Sequence, residues 1–123
     1  MRWFTIALTA WLLMVGVLPG LASPSRLRIT IESESPYFQP AVATATAGTA
    51  IRWENPTPVH HTITHDGCIS EGPCAFDSGS IAPDETYTVP SLPPGNYSYH
   101  CRLHPIMRGV LTVSDAGNVP AQT

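Results

Sequence analysis

Thirteen prolines and nine glycines punctuate this 123-residue chain closely. After residue 22 no stretch of helical length keeps an apolar period near 3.6. Apolar residues fall instead in short alternating runs. Leu27, Ile29 and Ile31 alternate with Arg28, Thr30 and Glu32, the pattern of a half-buried strand. Further candidates run from Val42 to Ala47, Thr49 to Glu54, His60 to Thr64, Tyr87 to Val89, Tyr97 to Cys101 and Val110 to Val113. Turn signals lie between them: Asn55-Pro56, Asp66-Gly67, Gly72-Pro73, Pro83-Asp84 and Pro93-Pro94-Gly95-Asn96. Seven to eight short strands with such turns predict an all-β fold, a Greek-key β-sandwich or small barrel.

The first 22 residues differ in kind. Sixteen are apolar, and Arg2 is the only charge. Pro19-Gly20 breaks the run, and small residues at Gly20 and Ala22 suit a cleavage site. This reads as a signal peptide over residues 1–22, followed by one domain over 23–113 and a tail over 114–123. If uncleaved, the run would be a membrane anchor, but it is short for a span. Either way the domain is expected to fold outside the cytoplasm, in a periplasm by preference, with a thylakoid lumen or the extracellular space as the other destinations. The chain has six Arg, no Lys and nine acidic residues, a net charge of −3. A nucleic-acid binder needs many phosphate contacts, and this chain does not supply them.

Three cysteines leave one over after pairing. Cys68 and Cys74 flank the polar loop Ile-Ser-Glu-Gly-Pro, short enough for the sulfurs to meet. An exported chain favours a disulfide there over a pair of thiolate ligands. Cys101 is the remainder. It opens the run Cys101-Arg-Leu-His104-Pro-Ile-Met107, which puts thiolate, imidazole and thioether donors at intervals of three in one loop between strands. This soft set suits copper, whose electron-transfer sites use two His and one Cys with a weak axial Met. Structural zinc sites favour further Cys or His over Met. The second His must come from elsewhere. Of the adjacent His60 and His61, strand alternation turns one inward. His61 shares its face with Ile63, so His61 is chosen, and His60 is expected to face out with Thr62. His65 is expected in a turn, and His100 to point away from its neighbour Cys101.

These residues together resemble the cupredoxins, the small blue copper proteins, and most nearly the plastocyanin and amicyanin group. The resemblance covers about Phe38 to Val113. It rests on Phe38-Gln-Pro40, Ala47-Gly48-Thr49, Trp53-Glu-Asn55, His61-Thr-Ile-Thr64, Phe76-Asp-Ser-Gly79 and the ligand loop Tyr97-Ser-Tyr99-x-Cys101-x-x-His104-Pro-x-Met107-x-Gly109. It implies a Greek-key β-sandwich with one type 1 copper ion held by His61, Cys101, His104 and Met107. It implies a non-enzymatic monomer that carries single electrons between redox partner proteins, which dock transiently near His104. Arg102 and Arg108 flank that loop and offer positive charge to an acidic partner. Family members often carry Asn after the first His ligand. Here Thr62 stands there, and its hydroxyl offers part of the same tie between ligand loops. Two other functions are weighed: a copper delivery or storage module, using His60, His65 or His100 as extra donors, and a thiol enzyme built on Cys101 and His104.

Overall fold

The computed structural model describes residues 26–115 and Gly16. The expected signal peptide, Gly16 aside, and residues 116–123 of the expected tail lie outside the described residues. Eight strands form: β1 (Arg26–Ile31), β2 (Phe38–Gln39), β3 (Val42–Thr46), β4 (Ala50–Glu54), β5 (Thr64–His65), β6 (Thr86–Val89), β7 (Gly95–His100) and β8 (Arg108–Ser114). The one helical element among the described residues is a 3-10 turn at Asp66–Cys68, where the sequence reads as a turn.

Two four-stranded sheets result, ordered β2-β1-β4-β6 and β3-β8-β7-β5. The chain changes sheet at every step from β2 to β7. These crossings leave β1 parallel to β4 and β3 parallel to β8, while the other neighbours are antiparallel. This is the all-β sandwich that the alternating runs predict.

Period-two patterning decides which side chains meet between the sheets. Ile29 and Ile31 of β1, Ile51 and Trp53 of β4, and Leu111 and Val113 of β8 all point inward and are buried. An aromatic cluster joins the two layers. Tyr99 of β7 meets Trp53 of the opposite sheet edge-on at 5.5 Å between ring centroids, and Phe38 at 5.0 Å. Fully burying each such ring stabilises the fold by roughly 1.5–3 kcal/mol. Burial also pushes the Tyr99 hydroxyl up to about 12, so it stays neutral. Gly109 of β8 pairs with Tyr99, whose ring lies where a Cβ at 109 would stand. A side chain at 109 would therefore displace the ring from the core.

Several boundaries differ from expectation. β7 starts at Gly95, inside the expected turn, because Gly95 and Asn96 pair with Val113 and Thr112. β8 runs through Ser114, the first residue of the expected tail. The expected strand from His60 to Thr64 is reduced to an isolated bridge from His61 to Ile81 and to Thr64, the first residue of β5, which also bridges to Asp77. His65 therefore lies in a strand and not in a turn. Its imidazole Nδ1 accepts the Ala75 N–H at 3.0 Å.

Candidate metal centre

The segment that follows β4 carries His61 to the end of the sandwich, and one buried amide shapes it. Asn55 is 1% exposed. Its Nδ2 donates to the carbonyls of Val59 (2.9 Å) and Ile81 (3.0 Å), and its Oδ1 accepts from the Thr57 N–H (3.1 Å) and hydroxyl (2.6 Å). The four bonds fold residues 55–59 into a fixed loop against Ile81. Thr57 Oγ1 then lies 2.8 Å from His61 Nε2. The Thr57 proton is committed to Asn55 or to the Val59 carbonyl. Its oxygen must therefore accept from His61, which places the imidazole proton on Nε2 and leaves the lone pair on Nδ1. That nitrogen is the one facing Cys101, with 3.9 Å between Nδ1 and Sγ.

The second segment is the loop between β7 and β8. The Cys101 N–H donates to the Met107 carbonyl at 3.1 Å, and the Met107 N–H donates to the His104 carbonyl at 2.9 Å. These bonds make residues 101–107 a compact unit anchored at both ends by paired strands. Within it, His104 Nδ1 lies 3.6 Å from Cys101 Sγ. The donor atoms of His61, Cys101 and His104 all fall within 4.8 Å of one another. Met107 is buried and lines, with His61 and His104, a mostly apolar hollow of about 270 Å³. Cys101 is the free cysteine and is fully buried, while Cys68 and Cys74 are joined in a disulfide. The sequence-selected residues His61, Cys101, His104 and Met107 are thus brought to one end of the sandwich.

The local electrostatics favour metal over protons. Burial, then the neighbouring charges of His104 and His60, push the His61 pKa down and hold its imidazole neutral. The Cys101 sulfur accepts the Thr62 N–H at 3.3 Å. Two imidazole nitrogens, one thiolate and one thioether match the composition of an electron-transfer copper site. The other histidines are engaged elsewhere. His60 Nδ1 meets Ser80 Oγ at 3.0 Å, and His100 Nδ1 meets Asp66 Oδ1 at 2.6 Å on the side away from Cys101.

Two expectations need correction. Thr62 does not face out with His60; it is buried. The 61–64 segment lies between residues 77–81 and the Cys101 loop, so it has no solvent face, and the Arg102 N–H donates to Thr62 Oγ1 at 2.8 Å. Arg102 and Arg108 are not free charges either. Arg102 pairs with Asp77 at 2.8 Å, and Arg108 with Asp66 at 3.4 Å. Each aspartate offsets the charge that was expected to steer a partner. The sequence marks Thr64 and Asp77 only as members of longer motifs and gives neither them nor Thr57 a role at the site. The sole hint for Thr57 was its place two residues after the Trp-x-Asn signal.

Comparison with known proteins agrees with this fold. A family model described as a cupredoxin-like domain matches residues 4–113. The chloroplastic plastocyanin of Tetradesmus obliquus is 27% identical over 88 residues, covering 68% of this chain and 61% of that protein, so the match spans about three-fifths of its length. An amicyanin variant in its reduced Cu(I) form superposes with a TM-score of 0.60 at 21% identity, over 77% of this chain and 87% of that one. The purple cupredoxin of Nitrosopumilus maritimus gives a TM-score of 0.59 at 24% identity, over 72% and 99%. A copper-containing nitrite reductase from Thermus scotoductus SA-01 gives 0.61 at 25% identity, over 74% of this chain but 23% of the enzyme. The sandwich, the converging donors and the matched family model lead to one conclusion: this chain belongs to the cupredoxin-like family.

Proposed function

We propose that the protein is an exported carrier of single electrons, with one type 1 copper ion held by His61, Cys101, His104 and Met107. The observation that carries the reading is the buried thiol of Cys101, faced by two imidazole Nδ1 atoms at 3.6 and 3.9 Å. Bound there, copper supplies a one-electron couple. The chain's own residues supply the rest. Thr57 holds His61 in the tautomer that presents Nδ1, the 101–107 unit moves three donors as one body, and the buried sulfur is kept from solvent. A site whose donors are held in this way changes little between oxidation states, which favours rapid transfer.

The rim suits brief docking of a redox partner. Val59 and Ile106 are 45% and 73% exposed and border the hollow beside His104. A small apolar patch with few free charges fits a weak, short-lived encounter. The Cys68–Cys74 disulfide supports export to an oxidising compartment, the periplasm being our preferred one. Delivery or storage is the weaker reading, because His60, His65 and His100 point to separate polar partners and build no second donor cluster among the described residues.

Copper titration followed by visible and electron-paramagnetic spectroscopy tests the proposal. The expected result is an intense thiolate-to-copper band, abolished in Cys101→Ser, with reversible one-electron cycling. Copper binding without that band in the unaltered protein would overturn it.

A further inference from the structure

Beside the Cys101 loop a closed ring of hydrogen bonds links three distant segments. Its directions can be read from the chemistry of each member. Asp77 accepts only, so Thr64 Oγ1 donates to Asp77 Oδ1 at 3.0 Å. Its proton thus committed, Thr64 must accept from the Thr62 hydroxyl across 3.0 Å. Thr62 Oγ1 in turn accepts the Arg102 N–H at 2.8 Å. The ring closes where Arg102 Nη2 donates to Asp77 Oδ2 at 2.8 Å. Thr62 and Thr64 are 5% and 0% exposed, so water does not compete for the two central hydroxyls.

This ring grips the residue after the thiolate twice, at its N–H by Thr62 and at its guanidinium by Asp77. Thr62 also gives its own N–H to the Cys101 sulfur at 3.3 Å. We propose that Asp77 and Thr64 are positioning residues of the metal centre, acting through Thr62 and Arg102 to hold the Cys101 peptide under the Thr62 amide. Neither touches a proposed copper donor. The carboxylate orders the two hydroxyls in one direction and makes Thr62 a stronger acceptor, as in other polarised chains. Without Asp77 the threonines can exchange donor and acceptor roles, and the Arg102 peptide loosens. The inference rests on reading Cys101 as a copper ligand, since hydrogen bonding at the cysteine sulfur is one of the levers on a blue-copper potential.

Two measurements separate this ring from the copper reading itself. The first is amide hydrogen exchange in the metal-free protein. Asp77→Ala should speed exchange at Arg102 about five-fold, as expected if its one N–H bond, to Thr62, is largely released, while the Leu111 amide in β8 is unchanged. Thr62→Val should do the same or more, and Thr62→Ser, which keeps the hydroxyl, should restore protection. Adding Asp77→Ala to Thr62→Val should change nothing further, because the ring is already open. The second is the reduction potential of the copper-loaded protein. It should fall in Thr64→Val, which opens the ring but leaves the Asp77 charge in place, because a less firmly held N–H leaves the sulfur a stronger donor to Cu(II). Unchanged Arg102 exchange in Asp77→Ala, independent additive effects of the two variants, or an unchanged potential would each overturn the proposal. A missing thiolate band in the unaltered protein would instead overturn the copper reading, leaving the exchange result to stand alone.

Discussion

Replacing Asn55 with Ala removes the amide that shapes the His61 loop, and the cost can be worked bond by bond. Four hydrogen bonds end on this side chain. Two losses are softened. The Thr57 hydroxyl retains the Val59 carbonyl at 3.1 Å, and that bond also serves the carbonyl that Asn55 held. The Thr57 N–H and its half of the loop are left without a partner, and the Ile81 carbonyl loses its side-chain donor while keeping the His61 N–H at 3.1 Å. An orphaned buried donor costs about 1–3 kcal/mol, and a lost bond at a still-paired acceptor about 0.5–1.5. The sum is roughly 2–4 kcal/mol, a large share of the ~5–15 kcal/mol that holds a small domain. The assay is guanidinium unfolding of the metal-free protein, so that ligand binding adds nothing to the midpoint. The expected result is a lower midpoint with an unchanged slope, and a Tm lowered by about 8 °C or more. A loss below about 1 kcal/mol would refute the reasoning, since it would mean that water replaces the amide freely.

Four further outcomes follow from the same contacts. Thr57→Val removes the acceptor that fixes the His61 tautomer and should weaken copper binding about 10–100-fold in competition with a chelator, while Thr57→Ser stays near the unaltered value. Gly109→Ala puts a Cβ into the Tyr99 ring and should cost about 1–3 kcal/mol in a thermal melt. Cys68→Ser with Cys74→Ser opens a six-residue separation and should cost about 2 kcal/mol in denaturant, with the visible copper band unaltered. At Asp77 burial pushes the carboxyl pKa up, but hydrogen bonds from Arg102, Gly79 and Thr64 and the Arg102 charge outweigh it, and the native pKa is lowered. Its contribution is therefore complete above the unfolded value and is lost as pH falls through the native one, so the stability gap between the unaltered protein and Asp77→Ala should close below about pH 4 in acid titration.

The parts that could be read in advance depend on short-range pattern. Ile29, Ile31, Leu111 and Val113 announce their strands because period-two alternation is a local property with one buried face. Cys101, His104 and Met107 were readable for a similar reason: one short loop carries all three, so their spacing in sequence is nearly their spacing in space. His61 needed a face argument through Ile63, and both residues are indeed buried. The same argument failed for Thr62, one residue later, because it assumes a solvent-facing side and the Cys101 loop covers that side. Asp77 was beyond reach. Its role depends on Thr64, Thr62 and Arg102 arriving together from segments 13 to 40 residues apart, and nothing local marks that meeting.

One consequence of the two networks concerns how the site is built. Asn55 and Thr57 fix the His61 ring from one side, and Thr62 fixes the Cys101 peptide from the other. Both begin in the same short stretch, residues 55–62, so the two donors are held relative to each other by one piece of chain. Both also close through protein atoms alone, with buried hydroxyls and amides whose partners are all satisfied. An arrangement secured in this way does not need a metal ion to assemble it, unlike small zinc domains whose folding energy is the binding energy. Copper should therefore shift the unfolding midpoint by mass action without changing the backbone of residues 55–65. Amide chemical shifts of Thr57 and Ile63, compared with Cu(I) bound and absent, measure this. Small changes confined to the donors fit the argument, and a wholesale reordering of the 55–65 segment on loading would defeat it.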